Sequence, residues 1–206
     1  MGELIPFPRK PKPWLAAYRQ LWLHSLDRLD SYLDRLSKGD AMTALRLVAP
    51  KDEPIITGAE PRVLNAPIGL VWKCFSEREH IGRWWGPVSL GSLVVREFDF
   101  RVGGKWRFEH VLKRGPVIPF HGVYRAIEPK TKIVNTFGVE GMFDGAEVEE
   151  TNIFEDHGET TLYRQITRFS DFESRDGMLA SGMEKGAAES MAQLDALLAE
   201  LKASAK

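Results

Sequence analysis

The sequence predicts an α+β domain in which an antiparallel sheet of six to seven strands packs on a long C-terminal helix, with two short helices after the first strand. Three observations carry this. Strand-like segments follow one another through turns of a few residues, which joins neighbours antiparallel. Met183, Ala187, Met191, Leu194, Leu198 and Leu201 recur near the C-terminus at the period of one helix face. Between the first two strand-like segments, Ala66-Pro67 through Gly86-Pro87 reads as a pair of short helices.

Taken in order, residues 1–12 hold Pro6, Pro8 and Pro11 and read as an extended tail. Residues 13–37 form an amphipathic helix, with Trp14, Tyr18, Leu21, Trp22, Leu29, Leu33 and Leu36 on one stripe. A lone helix cannot bury its own stripe, so this one packs on the domain or on a second copy. Trp14, Tyr18, Leu21, Trp22 and Leu29 are the candidate homodimer seam. Residues 38–53 read as a linker broken by Gly39 and Pro50, and 54–206 as the main domain.

Within that domain, strands are expected near 55–64, 92–102, 105–112, 120–128, 132–137, 147–155 and 160–169. Gly103-Gly104, Gly115-Pro116, Glu128-Pro129 and His157-Gly158 supply the turns. Pro67 opens the first short helix, where its missing N–H costs nothing. Ser76-x-x-Glu79 reads as a capping box for the second, and Gly86 and Pro87 end it after Trp84-Trp85. One long helix is expected from about Arg175 to Leu201, with Ser174 as its N-cap.

The composition excludes several classes. The chain of 206 residues carries a formal net charge of −1. It has no long block of one sign; Arg9, Lys10 and Lys12 make only a small basic tail, which argues against a dedicated nucleic-acid surface. Cys74 is the only cysteine, so neither an internal disulfide nor a cysteine-based metal cluster is possible. Its place beside Trp72 and Phe75 reads as a small core residue. No signal-peptide run and no bilayer-length apolar stretch is visible, so the expectation is a soluble protein of the reducing cytoplasm, with no membrane partner.

Two hairpins point to a cavity. Around Gly115-Pro116, a symmetric turn sets His110 opposite His121, a two-histidine metal pair, but puts Trp106 opposite Arg125. A register shifted by one keeps Trp106, Phe108, His110 and Leu112 on one face with Phe120, Gly122 and Tyr124, and sends His121 to the other. No metal site is expected from that pairing. His110 and Tyr124 then become polar groups in an aromatic wall, either ligand contacts or groups satisfied by neighbours. Around Asp156-His157-Gly158, a three-residue loop pairs Glu155 with Glu159 and sets Glu150 opposite Arg164, Val148 opposite Ile166 and Asn152 opposite Leu162. The charged pair is either structural or a polar anchor for a ligand. On the C-terminal helix, Gly182 and Gly186 share a ridge with Ser190, for close packing or for ligand room, and Met178, Met183 and Met191 could shape an adaptable wall.

The motifs carry a resemblance. Ala66-Pro67 through Trp84-Trp85-Gly86-Pro87, Gly103-Gly104-Lys105-Trp106-Arg107-Phe108, and Ser181-Gly182-Met183-Glu184-Lys185-Gly186 together resemble the activator of heat-shock-protein-90 ATPase homologue-like family. That family belongs to the START-like (SRPBCC) superfamily, and the resemblance runs from about Pro61 to Leu201. It implies a helix-grip fold, a curved sheet wrapped around the last helix. The glutamate–arginine pair departs from the smaller or apolar residues usual near those places. Separately, Trp14-x3-Tyr18-x3-Trp22-x3-Leu26-x2-Leu29-x2-Tyr32-Leu33 resembles the last helix of ArsR-type repressors, which dimerise through it. The DNA-reading helices that precede it there are absent, so DNA binding is not implied.

Three functions follow as expectations. The leading one is a protein binding a small hydrophobic or amphipathic molecule between sheet and C-terminal helix. Its candidate ligand-binding residues are Trp84, Trp85, Trp106, Phe108, His110, Tyr124, Glu150, Arg164, Met183, Ala187 and Met191. The resemblance adds a co-chaperone-like interaction module with a chaperone partner, and START-like cyclases or hydrolases as a third class. No Ser-His-Asp set, metal-ligand spacing or glycine-rich phosphate loop is recognisable, so no catalytic residue and no cofactor is assigned.

Overall fold

A computed structural model describes residues 47–48, 55–140, 147–180 and 183–204, with side chains from residue 61 onward except at 180. The N-terminal tail, the Trp14–Leu36 stripe with its dimer seam and repressor-like pattern, and Gly182 lie outside the described residues. The strands are β1 (Leu47–Val48), β2 (Ile55–Leu64), β3 (Gly91–Phe98), β4 (Lys105–Leu112), β5 (Val117–Glu128), β6 (Lys132–Val139), β7 (Glu147–His157) and β8 (Thr160–Arg168). The helices are α1 (Ile68–Ser76), α2 (Arg78–Trp84), α3 (Phe172–Ala180) and α4 (Met183–Ser204). Seven long strands and the two-residue β1 form one antiparallel sheet in the order β1-β2-β8-β7-β6-β5-β4-β3. β1 falls inside the stretch expected to be a linker. The α+β helix-grip architecture is the one expected.

The sheet curves because its ladders are broken by bulges, each of which bends a strand. Register slips occur between Gly58 and Arg62 in β2, between Val95 and Glu97 in β3, and between Tyr124 and Ala126 in β5. Pro61, with no N–H to give a ladder, sits inside the first of these slips. Along β4, Trp106, Phe108, His110 and Leu112 are buried in alternation, which sets the concave face. Met191, Leu194, Leu197 and Leu198 of α4 are buried in the same core cluster as Trp106, Phe108 and Leu112. Among the described residues, no helix is long and apolar enough to cross a membrane.

The helix boundaries differ from expectation in two places. The capping box does not form: Glu77 is the N-cap residue of α2, without a side-chain cap bond, and Ser76 Oγ donates back to the Trp72 carbonyl at 2.8 Å. A serine at the last position of α1 finds that carbonyl one turn behind it, which competes with capping forward. The single C-terminal helix is two, and the first begins at Phe172, before Ser174. Asp171 accepts the Ser174 backbone N–H on Oδ1 at 2.7 Å, so the carboxylate caps the turn and Ser174 lies inside it.

Candidate functional site

A cavity of about 190 Å³ lies between the concave face of the sheet and α4, with the α1–α2 pair contributing Phe75, Ile81 and Trp84. Its apolar end is built around Trp85, the residue that ends α2. The Trp85 ring centre lies 5.0 Å from Phe120, 5.2 Å from Phe108 and 6.2 Å from Trp106. The first two contacts are edge-to-face, the arrangement ring quadrupoles favour. Gly122 makes this wall possible. A Cβ there would lie 1.9 Å from the Thr136 carbonyl oxygen and 2.6 Å from the Trp106 indole nitrogen. Only a residue without a side chain lets the indole lie flat on the strand.

Helix α4 holds the tryptophan wedge in place through polar side chains. Gln193 Nε2 donates to the carbonyls of Trp84 at 2.7 Å and Gly86 at 2.8 Å, and its Oε1 accepts the Val88 N–H at 3.0 Å. Glu189 accepts from the Ser89 N–H at 2.7 Å and the Ser89 hydroxyl at 2.6 Å. Trp84 turns its indole N–H to the Cys74 carbonyl at 2.8 Å. Burial pushes the Cys74 thiol up to about 12, so it is an inert core group.

The other end of the cavity is polar. Tyr163 donates its hydroxyl to Asn152 Oδ1 at 2.7 Å; Asn152 Nδ2 reaches Asn135 Oδ1 at 3.4 Å; Asn135 Nδ2 donates to Glu150 Oε2 at 3.2 Å. Asn135 is opposite Glu150 across β6 and β7, and Asn152 is opposite Gln165 across β7 and β8, so the sheet register itself assembles this end. Burial pushes the Glu150 carboxyl up to about 7, with the Asn135 bond only partly opposing it. Burial also raises the phenols of Tyr124 and Tyr163 and lowers the His110 imidazole, although Gly91, Pro87 and Glu189 pull His110 the other way. Ser190, on the helix wall, donates to the Gly186 carbonyl one turn back at 2.9 Å.

The structure gathers Trp84, Trp85, Trp106, Phe108, His110, Tyr124, Glu150, Met183, Ala187 and Met191 around this cavity. Arg164 is not among them. Its side chain is 41% exposed and lies 3.9 Å from Glu155 on the outer face. The expected Glu150–Arg164 pair is therefore corrected, and the cause is the turn. His157 pairs with Thr160 around a two-residue loop, with Gly158 first at φ 72°. A glycine at that place makes a type II′ turn. Glu150 lies opposite Thr167 rather than Arg164, a register three residues from the expected one, and an odd shift exchanges the faces of β8. Tyr163 and Gln165 go in, while Leu162 lies opposite Glu155 and Arg164 opposite Ile153. In the other hairpin the expected faces hold, but the register lies two residues further: Trp106 pairs with Gly122, Phe108 with Phe120 and His110 with Ile118. His121 is on the outer face, 3.2 Å from Glu147.

Several lining residues were not among the candidate ligand-binding residues, although Phe120 was expected on the same face as Trp106 and Phe108. Phe120 and Phe137 complete the aromatic wall, and Asn135, Asn152, Tyr163 and Gln165 complete the polar end. Their one legible signal is asparagine inside strands, where it is depleted and asks for a reason. Gly186 lines the cavity and is buried, so its side of the helix leaves room there.

Comparison with solved structures agrees on the fold. A protein from Arthrobacter aurescens superposes with a TM-score of 0.68 at 22% identity, covering 77% of this chain and 93% of its own. A Mycobacterium smegmatis protein gives 0.65 at 20% identity, covering 74% and 95%. One from Rhodobacter sphaeroides gives 0.66 at 18%, covering 76% and 98%. No curated protein matches the sequence. The family model described as "Activator of Hsp90 ATPase homolog 1-like protein" matches residues 65–199. That span takes in the cavity, the tryptophan wedge and most of α4, and the chain belongs to this family.

Proposed function

We propose that this protein binds a compact amphipathic small molecule in the cavity between sheet and α4. The observation that carries the reading is the division of one cavity into an aromatic end around Trp85 and a polar end at Glu150, Asn135, Asn152 and Tyr163. An apolar wall with a few convergent polar groups is how ligand sites are commonly built. A cavity lined by apolar groups alone would serve packing as well; the polar chain would then cost desolvation with nothing to recognise. The size sets an upper bound on the ligand, because a cavity of about 150 Å³ accepts benzene.

Native mass spectrometry of the full chain as purified tests this. The reading expects a bound mass that is released on denaturation. A ligand-free mass, together with no uptake of any small aromatic compound added to the protein, would count against it. The family description raises a second role, stimulation of the Hsp90 ATPase, and adding the chain to that assay separates the two. Turnover of a captured compound would move the reading toward an enzyme.

A further inference from the structure

We infer that the cavity selects an organic cation, an ammonium group on a compact apolar body, with Glu150 as its counter-ion. This rests on the small-molecule reading above and gives that ligand a charge. The first ground is the charge inventory of the lining. Among the described residues, Glu150 is the one carboxyl group lining the cavity, and no lysine or arginine joins it. Arg62 is engaged by Asp195 and Arg164 lies beside Glu155, neither of them in the lining. His110 lines the cavity, but burial favours its neutral form.

The second ground is the direction of the hydrogen bonds. From Tyr163 through Asn152 to Asn135 the donors run toward Glu150, and Asn135 Nδ2 divides its donation between Glu150 Oε2 at 3.2 Å and the Thr136 carbonyl at 3.1 Å. Such a chain of dipoles prepares a carboxylate, and Asn135 is the one side chain among the described residues that donates to it. Burial raises this carboxyl to about 7 with only the Asn135 bond opposing it, and no cation in the lining pairs with its ionised form. An ammonium supplies the missing charge and up to three donors. An anion would meet the carboxylate with no cation in the lining to offset it.

The third ground is the aromatic wall. Trp85, Phe108 and Phe120 enclose the apolar end, which suits the apolar body of a ligand whose ammonium lies at Glu150. With about 190 Å³ available, one ring and a short chain fit.

Calorimetric titration of the full chain with three near-isosteres tests the charge: phenethylamine, 2-phenylethanol and phenylacetate. Phenethylamine is expected to bind at least about tenfold more tightly than the alcohol, the worth of one charge-assisted hydrogen bond. Glu150→Gln should remove that advantage, change alcohol binding by less than about threefold, and improve phenylacetate. If the alcohol or phenylacetate binds the wild type as well as the amine does, or if Glu150→Gln leaves amine affinity unchanged, the cation inference is wrong while the cavity reading stands. If no compound binds and no ligand co-purifies, both are wrong. Should Glu150→Gln not fold, the ranking on the wild type alone decides.

Discussion

The two ends of the cavity differ in what burial does to them. At the aromatic end, Trp106 and Phe108 are 4% and 3% exposed and touch Trp85. Burial there stabilises the fold whether or not anything binds. At the polar end, Glu150 sits inside with its ionisation opposed by its surroundings. That end weakens the empty protein and is useful only if something completes it. Stability and recognition are thus separated along one cavity, and neutralising Glu150 should change stability with the opposite sign to truncating Trp106.

The largest effect belongs to the aromatic end. Trp106→Ala should cost about 3–5 kcal/mol in denaturant unfolding, since it removes a large buried ring from a wall that also holds Phe137 at 6.2 Å. A loss below about 1 kcal/mol would mean that the wall is slack and the contrast is lost. At the polar end, Glu150→Gln should stabilise. The unfolded carboxyl releases its proton near 4.5 and the folded one near 7. Between those values the folded state binds more protons, so wild-type stability falls as pH rises through that window and stays low above it. The variant should gain about 3 kcal/mol at pH near 8 and nothing at pH near 4. Parallel stability curves would break the contrast.

Smaller effects sharpen it. Tyr163→Phe removes the donor to Asn152 Oδ1 and leaves that oxygen short of a partner, a loss of about 1–2 kcal/mol. Amine binding should weaken less than with Glu150→Gln, because the hydroxyl acts through two amides. Arg164→Met should stay within about 0.5 kcal/mol and leave affinity for every compound in the panel unchanged, since the side chain faces outward.

The fold was legible because its signals are local. The alternation of Trp106, Phe108, His110 and Leu112 is visible in any register that keeps their face, so most of the cavity wall followed from β4 and the α4 stripe. The polar end was not legible as a whole. Glu150 was expected inside, but its partner depended on whether Gly158 stands first or last in its loop. That single position decides between Tyr163 and Arg164 as the inward residue. The hold of Gln193 and Glu189 on the loop from Trp84 to Ser89 joins residues about a hundred positions apart, and no periodicity announces it. Ser76 shows the same limit at short range, since the capping pattern is present and the hydroxyl bonds backward instead.

The central claim is that one cavity holds the small molecule, and filling it is the most direct test. Ala187 lines the cavity from α4, so Ala187→Phe puts a ring into the space a ligand would occupy. Phenethylamine titrated into a variant that keeps its far-ultraviolet spectrum and its melting transition should bind at least about tenfold more weakly than to the wild type, or not at all. Undiminished affinity in that folded variant would place the binding site elsewhere and contradict the account.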